Sequence, residues 1–147
     1  MEDCLFCKII KGEIPSTKVY EDEEILAFND INPAAPIHIL VIPKKHITSL
    51  AHMEKEDEAI VGRIYGVINK IAEEKGFKES GYRVIVNCGK DAGQEVMHLH
   101  FHILAGAKFG DKIRLPIDSL GCLSRRLSTA WRQLFLAGRC HIVPARS

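Results

Sequence analysis

Residues 97–105 read Met-His-Leu-His-Phe-His-Ile-Leu-Ala, with a histidine at every second position from 98 to 102. The residues between the histidines, Leu99, Phe101 and Ile103, are large and apolar. Side chains in a β-strand alternate between two faces, whereas a helix would scatter these histidines around its axis. We therefore expect a strand over about Met97–Ala105 that presents three imidazoles on one face and an apolar surface on the other.

Three neighbouring imidazoles indicate one of two kinds of site. They could bind a metal together, because imidazole is a common zinc ligand. Alternatively, one of them is a nucleophile and the others are its hydrogen-bonding partners. The alternation alone does not choose between these two interpretations.

Hydrophobic periodicity and turn residues predict the other elements. A short N-terminal helix carries its apolar residues on one face and ends near Gly12. The remaining predicted elements are strands at Val19–Glu21, Ile25–Asn29, His38–Ile42 and Tyr82–Asn87, and a long helix at about Lys55–Lys75. With the histidine strand they predict an α+β fold, an antiparallel five-stranded meander sheet with one long helix on a face and a short N-terminal helix.

The composition is that of an ordinary globular protein of 147 residues with a formal net charge of +1. This charge gives no overall argument for binding nucleic acid or a membrane, and we expect neither partner. No apolar run reaches the length of a membrane helix, and the first residues lack the pattern of a signal peptide. We therefore expect a cytoplasmic protein.

The five cysteines are an odd number, which argues against a disulfide framework. Cys4 and Cys7 form a C-x-x-C motif, which suggests a redox pair or half of a zinc site. The redox interpretation is weaker, because no βαβ pattern surrounds the motif. We interpret Cys88 as an incidental small residue.

The run His98–Leu104 resembles the histidine triad signature of the HIT superfamily of nucleotide hydrolases and transferases. Asp30-Ile31, Pro43–His46 and Gly93–Val96 resemble the Hint branch in particular. The resemblance covers about Asp3 to Phe109. It implies the HIT fold, a homodimer whose sheets join, and cleavage of purine nucleoside 5′-phosphoramidates through a nucleotidyl-histidine intermediate.

The resemblance and the chemistry together assign the catalytic histidines. His100, the middle residue of the triad, is the predicted nucleophile, because a neutral imidazole has one unprotonated ring nitrogen. His102 can donate to a phosphate oxygen or protonate the leaving group, and His38 on another strand can orient the triad. His98 completes the catalytic set.

The resemblance also implies a substrate pocket. Asp30 holds the ribose, Asn87 reaches the phosphate, and the Gly93–Val96 backbone can donate N–H groups to an anion. Gln94, Glu95 and Val96 are thus assigned to substrate binding, although relatives commonly carry a serine at the position of Glu95. The walls of the base pocket are Leu5, Phe6, Ile9, Phe28 and Ile31, which sequence alone would assign to the core.

Zinc is the predicted cofactor, in a structural role that the chemical step does not need. Cys4 and Cys7 supply two thiolates, and zinc prefers four tetrahedral ligands. By resemblance to some bacterial Hint proteins, His46 and His98 complete the set. Zinc bound there would connect the N-terminal segment to the catalytic strand.

Other functions remain open at this stage. The chain could hydrolyse dinucleoside polyphosphates, or it could be a nucleotide-binding scaffold with vestigial turnover. A metalloenzyme that binds zinc through all three triad histidines is a further class, and its activity would be lost to chelators.

Residues 110–147 differ in composition from residues 1–109, the predicted HIT domain. The segment has no glutamate and one lysine but several arginines, beginning with Arg114. One interpretation is an altered or non-native C-terminus, and the other is a genuine arginine-rich appendage. No function is assigned to it.

Overall fold

The computed structural model describes residues 4–110 of the chain, so the arginine-rich segment beyond Gly110 lies outside the described residues. The described part contains two α-helices, α1 (Leu5–Ile10) and α2 (Glu58–Glu74). Its five strands are β1 (Lys18–Glu21), β2 (Ile25–Asn29), β3 (Ile37–Pro43), β4 (Arg83–Ile85) and β5 (Phe101–Ala105). Among these residues, no helix has the length and apolar character needed to span a membrane.

The five strands form one antiparallel sheet, as the sequence predicts, in the order β1-β2-β3-β5-β4. The prediction of a simple meander is wrong in one respect, because β5 lies between β3 and β4. As β5 is antiparallel to both neighbours, β3 and β4 run parallel to each other. Parallel strands need a long crossover, and α2 lies within that connection. The last strand then fills the gap that the crossover leaves.

Strands β2 and β3 are apolar on both faces because both faces of the sheet are covered. On one face, Ile25 and Val41 pack with the buried side of α2. On the other face, Leu26 and Leu40 pack with Phe6 of α1. The three large apolar residues of the histidine stretch, Leu99, Phe101 and Ile103, pack in the hydrophobic core between the sheet and α2.

Helix α2 confirms the amphipathic pattern of the sequence. Its buried residues are Ile64, Val67, Ile68, Ile71 and Ala72. A 3₁₀ turn at Lys55–Asp57 precedes it, and Asp57 accepts a hydrogen bond from the backbone N–H of Glu54 at 3.0 Å. This capping arrangement explains why the helix begins after a run of acidic residues.

The two strands nearest the predicted site are shorter than predicted. β4 covers Arg83–Ile85 rather than Tyr82–Asn87, and β5 begins at Phe101 rather than Met97. His98 and His100 therefore lie in the segment that approaches β5. The N–H of Leu99 donates instead to the carbonyl of Ile47 at 2.6 Å. This contact fixes the approach to β5 outside the ladder of the sheet.

Candidate active site

A cleft of about 650 Å³ lies on the α1 side of the sheet. A cavity of this size accommodates a nucleotide-sized ligand. Most of the predicted substrate and catalytic residues line it, and they come from α1, from the ends of β2 and β3, and from the segments around β4 and β5. The predicted residues among them are Leu5, Phe6, Ile9, Phe28, Asp30, Ile31, His38, Asn87, Glu95, Val96, His100 and His102.

The hydrogen-bond partner of His100 determines which of its nitrogens is available. Its Nδ1–H donates to the carbonyl of His98 at 2.6 Å. In the neutral ring, Nε2 then carries the lone pair. The side chain is buried, and the edge of the Phe6 ring packs against it with centroids 5.3 Å apart. His100 is thus held in the tautomer that a nucleophile requires.

His102 takes part in a chain of hydrogen bonds that begins in the loop after β2. The N–H of Ala34 donates to Nδ1 of His38 at 3.1 Å, so His38 carries its proton on Nε2. This Nε2–H donates to Nδ1 of His102 at 2.9 Å. His102 therefore carries its own proton on Nε2, a buried atom without a partner among the described residues. That N–H is available to donate to a ligand in the cleft.

Burial keeps the His102 ring neutral. Together with the nearby His100 and His38, it lowers the pKa of His102 from 6.5 to about 4. Asp30 opposes this effect, and its carboxylate lies 3.5 Å from Nε2 of His38. His102 thus acts as a neutral donor rather than as a cation.

His98 lies on the other side of this segment and does not line the cleft. Its ring is fully buried, and its Nε2–H donates to the carbonyl of Pro43 at 2.8 Å. Among the described residues, the three triad rings do not form a common metal-binding group. The tri-histidine metal site is therefore not supported, because the strand that would have aligned the rings begins only after His100. His98 serves the cleft through its backbone carbonyl.

Nδ1 of His98 belongs to a cluster of four potential metal ligands. It lies 3.5 Å from Sγ of Cys4 and 3.6 Å from Sγ of Cys7, and Sγ of Cys7 lies 3.3 Å from Nδ1 of His46. The four ligand atoms all lie within 4.8 Å of one another. Burial and the neighbouring Cys4 raise the pKa of the Cys7 thiol, and burial lowers the pKa of His98 to about 4. Two cysteines and two histidines are one of the ligand sets that can bind zinc.

The loop before His98 is held by Gln94, which does not line the cleft. Its side-chain oxygen accepts from the N–H of Gly89 at 2.9 Å, and its amide nitrogen donates to the carbonyls of Thr48 and Val96 at 2.7 and 3.0 Å. The structure therefore gives Gln94 a supporting position and no direct access to a ligand.

Only part of the expected backbone anion site is available. The N–H of Gly93 donates to Lys90, and that of Gln94 donates to Gly89. The N–H groups of Glu95 and Val96 have no such partner among the described residues, and both residues line the cleft. Two backbone donors thus remain for an anion.

The cleft also has a mainly apolar part. The predicted wall residues surround it, with Ile31 at the rim and 90% exposed. Oδ1 of Asp30 accepts from the N–H of Asn32 at 2.8 Å, which makes Asp30 both a turn residue and a cleft residue.

Ser16 is a cleft residue that the sequence did not predict. Ser16 lines the cleft, and its hydroxyl oxygen is buried without a hydrogen-bond partner among the described residues. Nothing in the Ile14-Pro15-Ser16 pattern signals a ligand contact, because Ser16 reaches the cleft only through the packing of the segment before β1.

Known proteins are similar in sequence to this chain over most of their length. The HIT domain family model matches residues 11–109. Protein HitA from Neisseria gonorrhoeae is 48% identical over 104 residues, which cover 71% of this chain and 96% of HitA. Purine nucleoside phosphoramidase from Escherichia coli K12 is 47% identical over 109 residues, which cover 74% of this chain and 92% of the relative.

A solved structure leads to the same family. A histidine triad protein from Clostridium difficile is 62% identical, with a TM-score of 0.74, and the match covers 76% of this chain and 97% of that chain. The family match covers more than half of the sequence and includes the two cleft histidines near β5, His100 and His102. The chain belongs to the HIT domain family and is a hydrolase of the HIT type.

Proposed function

We propose that this protein hydrolyses the P–N bond of purine nucleoside 5′-phosphoramidates and releases a nucleoside monophosphate and an amine. One observation carries the proposal: the His98 carbonyl holds Nδ1–H of His100, which leaves Nε2 as the nucleophilic nitrogen in a nucleotide-sized cleft. The name of the Escherichia coli relative supports the same substrate class.

The reaction proceeds in two displacements. Nε2 of His100 attacks the α-phosphorus, an N–P bond forms to the enzyme, and the P–N bond to the amine breaks. The leaving nitrogen takes up one proton and departs as the neutral amine. Water then attacks the phosphorus of the nucleotidyl-histidine, the enzyme N–P bond breaks, and one proton returns to the solvent. The two proton steps cancel.

The surrounding donors match the charge that develops on phosphate. Nε2–H of His102 and the N–H groups of Glu95 and Val96 have no other partner among the described residues. Donors fixed in place before the reaction stabilise a transition state more strongly than mobile solvent does. His38 acts as a positioning residue, because its hydrogen bond sets the tautomer of His102.

The nucleoside lies at the apolar end of the cleft in this proposal. A purine ring packs among the predicted wall residues, and the carboxylate of Asp30 accepts hydrogen bonds from ribose hydroxyls. The binding energy of the nucleoside then positions phosphorus against His100.

The test is hydrolysis of adenosine 5′-phosphoramidate by the purified full-length chain and by His100→Ala. We expect the variant to lose at least about a thousandfold in kcat, because no nucleophile remains. His52→Ala, at an exposed histidine outside the cleft, is the control and keeps its activity. Rapid quenching captures AMP bound to the wild-type chain. Unchanged turnover by His100→Ala overturns the proposal.

We also propose a structural zinc bound by Cys4, Cys7, His46 and His98. Their geometry and chemistry support it, as does the hydrogen bond from Nε2–H of His98 to Pro43, the kind of outer contact that orients a metal-binding imidazole. Zinc at this site would balance the negative charge of the two thiolates and would hold the N-terminal segment in place. It takes no part in the displacements at His100.

We further propose that the protein is a homodimer. β4 lies at the edge of the sheet and pairs on one side with β5, so a second copy can extend the sheet there. Light scattering coupled to size exclusion measures the mass directly. A mass of one chain at micromolar concentration would contradict a stable dimer.

A further inference from the structure

The charge around the cleft limits the leaving groups that it can accept. Its described lining residues include no lysine or arginine. They include two carboxylates, Asp30 and Glu95, while the donors proposed for phosphate are a neutral imidazole and backbone N–H groups. Such a cleft can bind one phosphate charge through hydrogen bonds, but it has no cation to balance a chain of further phosphates.

The two carboxylates differ in their surroundings. Asp30 has partners, since it accepts from Asn32 and lies 3.5 Å from Nε2 of His38. Glu95 is exposed and has no hydrogen bond or ion pair with its side chain among the described residues. Its charge therefore remains available to a ligand.

Glu95 lies where the cleft meets a second cavity of about 410 Å³. Leu5, Glu95 and Val96 line both spaces. The second cavity also contains the apolar side chain of Met97, and Glu95 is its one acidic residue among those described. Zinc with two thiolates and two neutral imidazoles has no net charge. A zinc bound at Cys4 and His46 would therefore leave the net charge of the cavity lining negative.

We infer that Glu95 selects leaving amines that carry a second positive group on an alkyl arm, and that the second cavity binds this arm. The inference rests on the proposed phosphoramidate hydrolysis and specifies its substrate class. The alkyl part contacts Leu5, Val96 and Met97, and the distal ammonium pairs with the carboxylate of Glu95. The same carboxylate repels anionic leaving groups such as polyphosphates.

Three adenosine 5′-phosphoramidates of matched length test this selection. They are made from 1,4-diaminobutane, n-pentylamine and 4-aminobutanoate, so that the distal group is cationic, neutral or anionic. We measure kcat/KM for the full-length wild-type chain and for Glu95→Gln. The control is Asp91→Asn, an exposed carboxylate in the preceding turn that does not line either cavity.

We expect the wild type to prefer the cationic substrate and to discriminate most against the anionic one. Glu95→Gln reduces the cation-to-anion ratio by about three- to tenfold, Asp91→Asn leaves it unchanged, and Glu95→Lys inverts it. Added NaCl reduces the wild-type ratio, because salt screens an exposed charge pair. Thermal unfolding confirms that each variant is folded.

Two results would overturn the inference while the proposed function stands. One is hydrolysis of all three compounds by the wild type at similar kcat/KM. The other is an equal loss on all three in Glu95→Gln, since that shows a positioning role without charge selection. If the wild type hydrolyses none of the three compounds and does not hydrolyse adenosine 5′-phosphoramidate, the proposed function itself fails.

Discussion

The three triad histidines have equal spacing in the sequence and unequal surroundings in the fold. A carbonyl holds Nδ1–H of His100, another carbonyl holds Nε2–H of His98, and the ring of His38 holds Nδ1 of His102. These contacts place the proton on Nδ1 of His100 but on Nε2 of His98 and of His102. The chemical role of each imidazole therefore depends on its partner more than on its place in the motif.

The neutrality of His102 predicts a pH dependence of stability. Its pKa is about 4 in the folded chain and 6.5 in an ordinary environment, and the groups facing it are His38, His100 and Asp30. Between these pH values the unfolded chain binds more protons, so the free energy of unfolding falls as pH is lowered from about 6.5 toward 4. This one group contributes a slope of at most about 1.4 kcal/mol per pH unit.

Urea denaturation from pH 7.5 to 4.5 measures that slope. His102→Gln cannot take up this proton, and we expect its stability to fall less steeply than that of the wild type. Other acid-sensitive groups are present in both proteins, so the difference between the two slopes isolates His102. Parallel slopes would show that His102 is not held neutral.

The amide of Gln94 predicts a loss of stability of a different origin. The side chain is 4% exposed and makes three hydrogen bonds to backbone. In Gln94→Ala the polar backbone groups of Gly89, Thr48 and Val96 lose this partner, and we expect a cost of about 2–4 kcal/mol. Asn69→Ala, at an exposed amide on α2, changes the free energy of unfolding by less than about 0.5 kcal/mol. If urea denaturation showed the same loss of stability in Gln94→Ala as in Asn69→Ala, the supporting role of Gln94 would be refuted.

At the scale of elements, the sequence predicted well those helices and strands that depend on a local hydrophobic pattern. The bounds of β2 were predicted to the residue, and α2 follows from its apolar stripe. β5 was predicted four residues too long, because His98 and His100 alternate correctly while Leu99 bonds to Ile47 outside the sheet. The position of β5 between β3 and β4 depends on where α2 crosses, which no local pattern records.

The same distinction holds within the candidate site. Residue types indicated the imidazoles and the C-x-x-C thiols, and the resemblance supplied the cleft walls. Ser16 and the bonding of Gln94 could not be predicted, because both depend on how distant segments meet. For similar reasons, no sequence pattern indicated that Glu95 lines two adjoining cavities.

Packing of α2 against the sheet predicts unequal costs along one helix. Ile68 is 1% exposed in the core, whereas Ile60 is half-buried near the first turn. We expect Ile68→Ala to cost about 3–4 kcal/mol and Ile60→Ala about 1 kcal/mol, since only the first leaves an enclosed cavity. Chemical denaturation of both variants measures the difference. Equal costs would show that the two positions are packed alike.

At the scale of the whole molecule, the N-terminal segment connects two parts of the site. Cys4 and Cys7 reach the cluster at His46 and His98, while Leu5, Phe6 and Ile9 between and beyond them form a wall of the cleft. Helix α1 has only six residues and is too short to be stable alone. Its position therefore depends on its apolar contacts and on the contacts that Cys4 and Cys7 make in the cluster.

Removal of a cluster ligand predicts loss of metal, of stability and of substrate affinity together. In Cys7→Ser we expect bound zinc, measured by elemental analysis, to fall well below one per chain, and the melting temperature to fall by several degrees, because metal binding contributes to folding. As α1 loosens, the KM for adenosine 5′-phosphoramidate should rise more than kcat falls. Residues of α1 form the wall of the proposed base pocket, whereas His100 is held by the His98 carbonyl, which does not depend on α1. Cys88→Ser, outside the cluster, keeps its zinc and its melting temperature. A wild-type chain that binds no zinc, or an equal effect of the two substitutions, would contradict the structural role of the cluster.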